Sequence, residues 1–203
     1  MAGWFDPFLP TQIEDFNQVI HNANDNEATE TRLIIGPWGH ANEVTLPGSQ
    51  QSLPYRPASL APSIPWFDYN LGIGKDKFDL PKVKIFVLGH NQWRNEKEWP
   101  LERTQYTPFY LHSNGKANSV SGGGWLDEKI PQSEEPSDSF LYDPLNPVPS
   151  AGGAMLGPRS GIHLQNSIEL RDDVLIYSTH TLSEPGEVTG PVRLIIYVHT
   201  NVV

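Results

Sequence analysis

Leu33-Ile34-Ile35-Gly36-Pro37-Trp38-Gly39-His40 is an apolar run that drives into a Gly-Pro pair and ends on a histidine. Arg32 to Ile35 reads as a short buried strand, stopped at Gly36-Pro37 because proline has no amide to continue a ladder. Upstream, residues 1–10 read as a turn, since Asp6-Pro7 and Leu9-Pro10 both favour extended or turn backbone. Thr11 to Asn22 reads as a helix between them. Thr11 can cap it with Glu14 three residues on, and Ile13, Phe16, Val19 and Ile20 share one face. Residues 21–31 are polar and loop-like. The order turn, helix, loop, buried strand, turn is an α/β pattern.

The two turns carry Asp6 and His40, 34 residues apart. A triad for acyl transfer needs a nucleophile, an imidazole to take its proton and a carboxylate to orient the imidazole. In α/β-hydrolases the acid precedes the histidine, each at the end of a strand. A helix followed by a strand can return the chain to the same sheet edge, so the pattern permits an Asp6–His40 contact. Each residue also has an ordinary reading: an Asp before Pro forms turns, and a His after Gly sits in loops.

The pattern changes after residue 80. Lys82 to Leu88 alternates and is β-branched, as a strand should be. Further short strands are expected at Thr107–His112, Ser139–Tyr142, Val174–Ser178 and Val192–His199, separated by Gly122-Gly123-Gly124, Pro144 to Pro149 and Pro185-Gly186. This part reads as an antiparallel sandwich or jelly roll, short of the roughly eight strands a jelly roll uses. Residues 41–64 are Pro- and Ser-rich without a period, and Pro65 to Leu71 reads as a short helix.

Nineteen prolines, seventeen glycines and an aromatic supply of six Trp, seven Tyr and eight Phe suit a loop-rich, largely β protein. The net charge of −10, with no basic patch, argues against nucleic-acid binding. Without Cys there is no disulfide and no thiolate chemistry. No stretch reaches the roughly 20 apolar residues that span a bilayer. No targeting signal is present, which leaves the compartment open and favours the cytoplasm.

Several stretches occurring in order resemble the cocaine esterase / X-prolyl dipeptidyl peptidase C-terminal family of α/β-hydrolases. They are GWFD at 3–6, LIIGPWGH at 33–40, VKIFVLGHNQWRNEKEWPL at 83–101, YTPFYL at 106–111, YDPLNPVPSAGG at 142–153 and RDDVLIYST at 171–179. The resemblance implies that Asp6 is the triad acid, His40 the triad base, and Phe8 an aromatic lining the acyl pocket. It also implies that the loop from Gly152 reaches back to that pocket, with Leu156 as an apolar contact. Gly157 stands where the esterase branch has a large aromatic, which puts an aryl-ester preference in doubt.

The family's nucleophile elbow, Gly-x-Ser-x-x-Gly, is absent from these 203 residues; two residues before Ser160, Ser49 and Ser121, where its first glycine would stand, are Pro158, Pro47 and Ser119. The resemblance therefore implies a fragment truncated at both ends. Residues 1–78 would be the C-terminal part of an α/β-hydrolase catalytic domain, and residues 79–203 an incomplete jelly-roll sandwich. The longer relative would hydrolyse a small-molecule ester or amide through an acyl-enzyme, without cofactor or metal. This chain alone is expected to be inactive, because an Asp–His pair cannot form an acyl-enzyme. Exposed apolar surface from the broken sandwich predicts homo-oligomerisation.

A second reading is a non-catalytic β-sandwich binding carbohydrate or protein, with Trp66, Trp93, Trp99 and Trp125 as its platform. The favoured reading places these indoles in the seam between the two parts. His21, His90, His112, His163, His180 and His199 show no metal-ligand spacing and read as surface or strand residues. Gly72-Ile73-Gly74-Lys75 reads as a helix C-terminal turn and not a phosphate loop. Glu134, Glu135 and Asp138 read as a solvated acidic loop.

Overall fold

The computed structural model describes residues 1–24, 30–40, 43–45, 52–54, 60–73, 78–120 and 122–201. Its main sheet has four strands in the order β1-β2-β5-β6: β1 (Ala2–Phe5), β2 (Leu33–Gly39), β5 (Val83–Val87) and β6 (Gln92–Glu96). β1, β2 and β5 run parallel, and β6 returns antiparallel through a turn with Gly89 and Asn91 at positive φ. Helix α1 (Leu9–Asn22) is the crossover from β1 to β2. The sheet thus takes strands from both sides of residue 78.

Residues 2–5 form a strand and not a turn, because the parallel edge of β2 supplies partners for them. Helix α1 begins at Leu9 with Phe8 as its N-cap, three residues earlier than a Thr11 cap predicts, and makes no side-chain cap. Pro10 fits the first helical turn, where an amide would be unpaired in any case. β2 also runs past Gly36-Pro37 to Gly39. Pro37 is tolerated because β5 pairs only with Leu33 to Ile35, and the β1 ladder shifts register between Gly3 and Phe5.

The core lies under β2 and β5, whose Leu33, Ile35, Val83 and Ile85 are buried with Ala2, Trp99 and Leu101. Phe16 of α1 is buried among them, with Leu9, Ile13 and Ile20 packed around it. Ile35 has no exposed surface at all. On β2, Trp38 is also buried, and its indole occupies the space over Gly36, where any Cβ would collide with the Cη2, Cζ3 and Cζ2 atoms. Gly3 pairs with Gly36 in the register and likewise has no room for a side chain, this time against the Trp38 backbone and Cδ1. Two bare glycines therefore make the slot that holds one indole.

The remaining strands are short. β3 (Glu43–Thr45) and β4 (Ser52–Pro54) pair antiparallel in a stretch expected to be without period. β7 (Tyr110–Ser113), β8 (Gly124–Asp127) and β9 (Ser178–Thr179) form a three-stranded sheet. Helix α2 (Ser63–Asn70) matches the predicted short helix to within two residues, and α3 (Asn166–Glu169) is a single turn. Gly72, at positive φ, closes α2 by donating to Tyr69 O, as a C-terminal turn does; Gly74 and Lys75 lie outside the described residues.

Ser139–Tyr142 and Val192–His199 do not enter a ladder. Their β-prone residues are left exposed, among them Leu141, Val192, Leu194, Ile195, Ile196, Tyr197 and Val198. Strand propensity expresses itself only where a partner edge exists, and neither segment has one among the described residues. Val174–Ser178 contributes only Ser178 and, beyond the predicted end, Thr179.

Candidate active site

Asp6 and His40 are the residues immediately after β1 and β2. Because these strands are parallel and Phe5 is the register partner of Gly39, the next residue of each leaves the sheet at the same end, side by side. His40 Nδ1 lies 3.1 Å from Asp6 Oδ2. The other carboxylate oxygen, Oδ1, accepts the Phe8 amide at 2.9 Å, closing a turn that holds Asp6 in place. Asp6 is buried, whereas the His40 side chain is 52% exposed.

A carboxylate only accepts hydrogen bonds, so its contact with Nδ1 puts the neutral ring's proton there and leaves the free lone pair on Nε2. The Phe8 ring meets the His40 ring edge-on at 5.4 Å and is itself half exposed. The pair therefore presents an oriented, accessible imidazole beside an apolar surface. Leu156 is exposed on the loop that begins at Gly152. That loop is closed by paired bonds between Gly153 and Gly161 (2.7 and 3.0 Å), and its Ser160 packs on Gly39, next to His40.

The four tryptophans do not share a platform. Trp99 packs on Trp4 at 5.7 Å, and Trp93 on Trp38 and Phe86. These two join residues beyond 78 to the β1–β2 region. Trp66 instead donates to Glu30 O and meets Phe67, and Trp125 stacks on His112.

His112 is not a surface residue. It is buried, with Nδ1 2.7 Å from Glu135 Oε1 and Nε2 2.8 Å from Lys129 O. Two acceptors favour the doubly protonated ring, and the Glu135 hydrogen bond raises the imidazole above its ordinary value against the opposing effect of burial. The hydrogen bond from His112 in turn holds Glu135 below the usual carboxylate range, helped by the Ser113 amide. Asp138 of the acidic loop is likewise bonded in place, accepting Ser113 Oγ, the Ala117 amide and the Tyr177 hydroxyl, while Glu134 is exposed as expected. These bonds tie β7 to the 129–138 segment and to Tyr177.

Sequence reasoning did not find Ser160, the Gly3–Gly36 slot or the His112 cluster. The slot had a signal, a glycine two residues before Trp38 and another before Trp4; the other two join residues too distant in the chain for any local pattern.

The family model for the X-Pro dipeptidyl-peptidase C-terminal non-catalytic domain matches residues 76–202. The chain is 40% identical to the cocaine esterase of Rhodococcus sp. (strain MB1 Bresler) over 212 aligned positions, covering 100% of this chain and 35% of that protein. It thus spans about a third of that relative's length. In fold it is similar to an aminopeptidase from the marine sediment archaeon Thaumarchaeota archaeon, with a TM-score of 0.55 at 21% identity over 73% of this chain and 23% of that one.

Proposed function

The chain belongs to the cocaine esterase / X-Pro dipeptidyl-peptidase C-terminal family, and from that premise we propose that it is the acid–base portion of a serine hydrolase acting on small esters or amides. Asp6 orients His40, and His40 Nε2 takes the proton of a serine hydroxyl as that oxygen attacks the acyl carbon; the same proton later goes to the leaving group. The observation that carries this reading is the 3.1 Å Asp6–His40 contact at the ends of two adjacent parallel strands. Both residues lie before residue 76, ahead of the non-catalytic domain match.

In this reading residues 1–78 close an α/β-hydrolase domain, and residues 79–203 are the jelly-roll part. The segments at 139–142 and 192–199 carry strand-like sequence for that sandwich but enter no ladder among the described residues. Phe8 and Leu156 wall the acyl pocket. No Gly-x-Ser-x-x-Gly occurs in the 203 residues, so the serine comes from outside them. The dispersal of the four indoles gives the carbohydrate-binding alternative no support.

A chimera tests the proposal. Replacing the aligned third of the Rhodococcus cocaine esterase with this chain should give a protein that hydrolyses p-nitrophenyl esters, and His40→Ala should abolish turnover while Asp6→Asn lowers it by orders of magnitude. A folded, active chimera indifferent to His40→Ala would refute the assignment.

A further inference from the structure

We propose that Ser160 is a positioning residue for His40, acting through Gly39. The inference rests on the acid–base reading of Asp6 and His40. Gly39 ends β2 and directly precedes the histidine. A Cβ built on it would overlap Ser160 Oγ, stand 2.8 Å from Ser160 Cβ, and meet the Phe5 carbonyl oxygen at 3.0 Å. The space a side chain of residue 39 would take is therefore filled by Ser160 together with the Phe5 carbonyl of β1.

Both neighbours are anchored. Phe5 is the register partner of Gly39 and the residue before Asp6. Ser160 sits on a loop whose ends are fixed by the Gly153–Gly161 bonds, and its own amide donates to Gly157 O at 3.3 Å. The His40 ring has a single side-chain hydrogen bond among the described residues, to Asp6, and half of its side chain is in water. An imidazole with so few neighbours keeps its aim only if its backbone is fixed, because supporting packing is what holds a functional side chain to its working geometry. Ser160 supplies that support from a loop some 120 residues further along the chain, so the segment matched as non-catalytic would set the geometry of the general base.

The test is nitrogen NMR of the His40 ring on this chain at about pH 9, well above the ordinary imidazole value of ~6.5. Wild type should show the Nδ1–H tautomer dominating. Ser160→Gly, which empties the space beside Gly39, and Ser160→Val, which overfills it, should each lower the Nδ1–H to Nε2–H ratio at least twofold and shift the Gly39 amide. Ser160→Ala, which keeps the Cβ against Gly39, should stay close to wild type. Wild-type tautomer ratios in both the Gly and Val variants would overturn the proposal, even if their melting temperatures change. Asp6→Asn is the separate control: if it leaves the ratio unchanged, the acid–base reading itself fails, and the role of Ser160 falls with it.

Discussion

Gly36→Ala should destabilise the protein, although alanine normally improves on glycine within a strand. Removing the extra freedom of glycine gains about 0.5–1 kcal/mol. Against that, the new methyl would stand closer than 3.0 Å to three atoms of the Trp38 benzo ring. Carbon atoms pack at about 3.5–4.0 Å, so the indole must retreat by roughly 1 Å. It has nowhere to go, because Trp38 is 2% exposed, and its ring already lies 5.9 Å from that of Trp93. Overpacking of this kind costs about 1–3 kcal/mol, leaving a net loss of up to about 2.5 kcal/mol and centred on about 1 kcal/mol.

Trp38→Phe removes the colliding atoms and is itself destabilising through the cavity it leaves. In the double variant the methyl added at position 36 occupies part of that cavity, so the two changes should offset each other by about 1–2 kcal/mol, within the range for residues in contact. Urea unfolding followed by far-UV circular dichroism measures all four proteins without using Trp38 as the reporter. Equal or greater stability of Gly36→Ala would refute the slot argument, as would additivity of the pair to within about 0.5 kcal/mol.

Ile35→Ala, at a fully buried position in the centre of the main sheet, should lose about 2–5 kcal/mol in the same assay; a loss under about 1 kcal/mol would mean the core lies elsewhere. The His112–Glu135 pair should make stability depend on pH. The raised His112 value means its contribution is complete below the ordinary 6.5 and fades as pH climbs through the raised value. The depressed Glu135 value means its contribution is complete above 4.5 and fades as pH falls through the lowered value. The pair's contribution therefore peaks between about 4.5 and 6.5. His112→Gln should flatten both limbs in melts taken across pH, and an unchanged profile would contradict the assignment. Asp138→Ala strips an acceptor from three donors and should cost more than about 2 kcal/mol; Asp138→Asn, keeping one acceptor oxygen, should cost less.

What was legible in the sequence was whatever is local. The periodicity of Ile13, Phe16 and Ile20 located α1, and the apolar run at 33–35 located β2. An Asp in the first turn and a His in the turn after the apolar run marked the candidate dyad. What was hidden depends on partners. Residues 2–5 contain Pro-free, aromatic sequence that becomes a strand only because β2 lies beside it, and β2 outlasts its own proline because no ladder on the β5 side reaches that far. Conversely, Val192–His199 is strand-like in sequence and pairs with nothing described. His112 looked like any strand histidine because its partners, Glu135 and Lys129, come from a loop whose acidity suggested only solvation.

The β1–β2 register also has an evolutionary corollary. Asp6 and His40 meet because each is one step beyond a pair of residues matched across parallel strands, with one extra β2 residue absorbed between Gly3–Gly36 and Phe5–Gly39. Side chains alternate faces along a strand. Loss of one residue from 37–39 would thus turn His40 to the opposite face, while length changes in the polar segment 21–31 leave the match intact. Sequence drift in this chain should accordingly be length-tolerant in the connection and length-intolerant in the few residues before the histidine, so gaps in related sequences should collect in the first and be missing from the second.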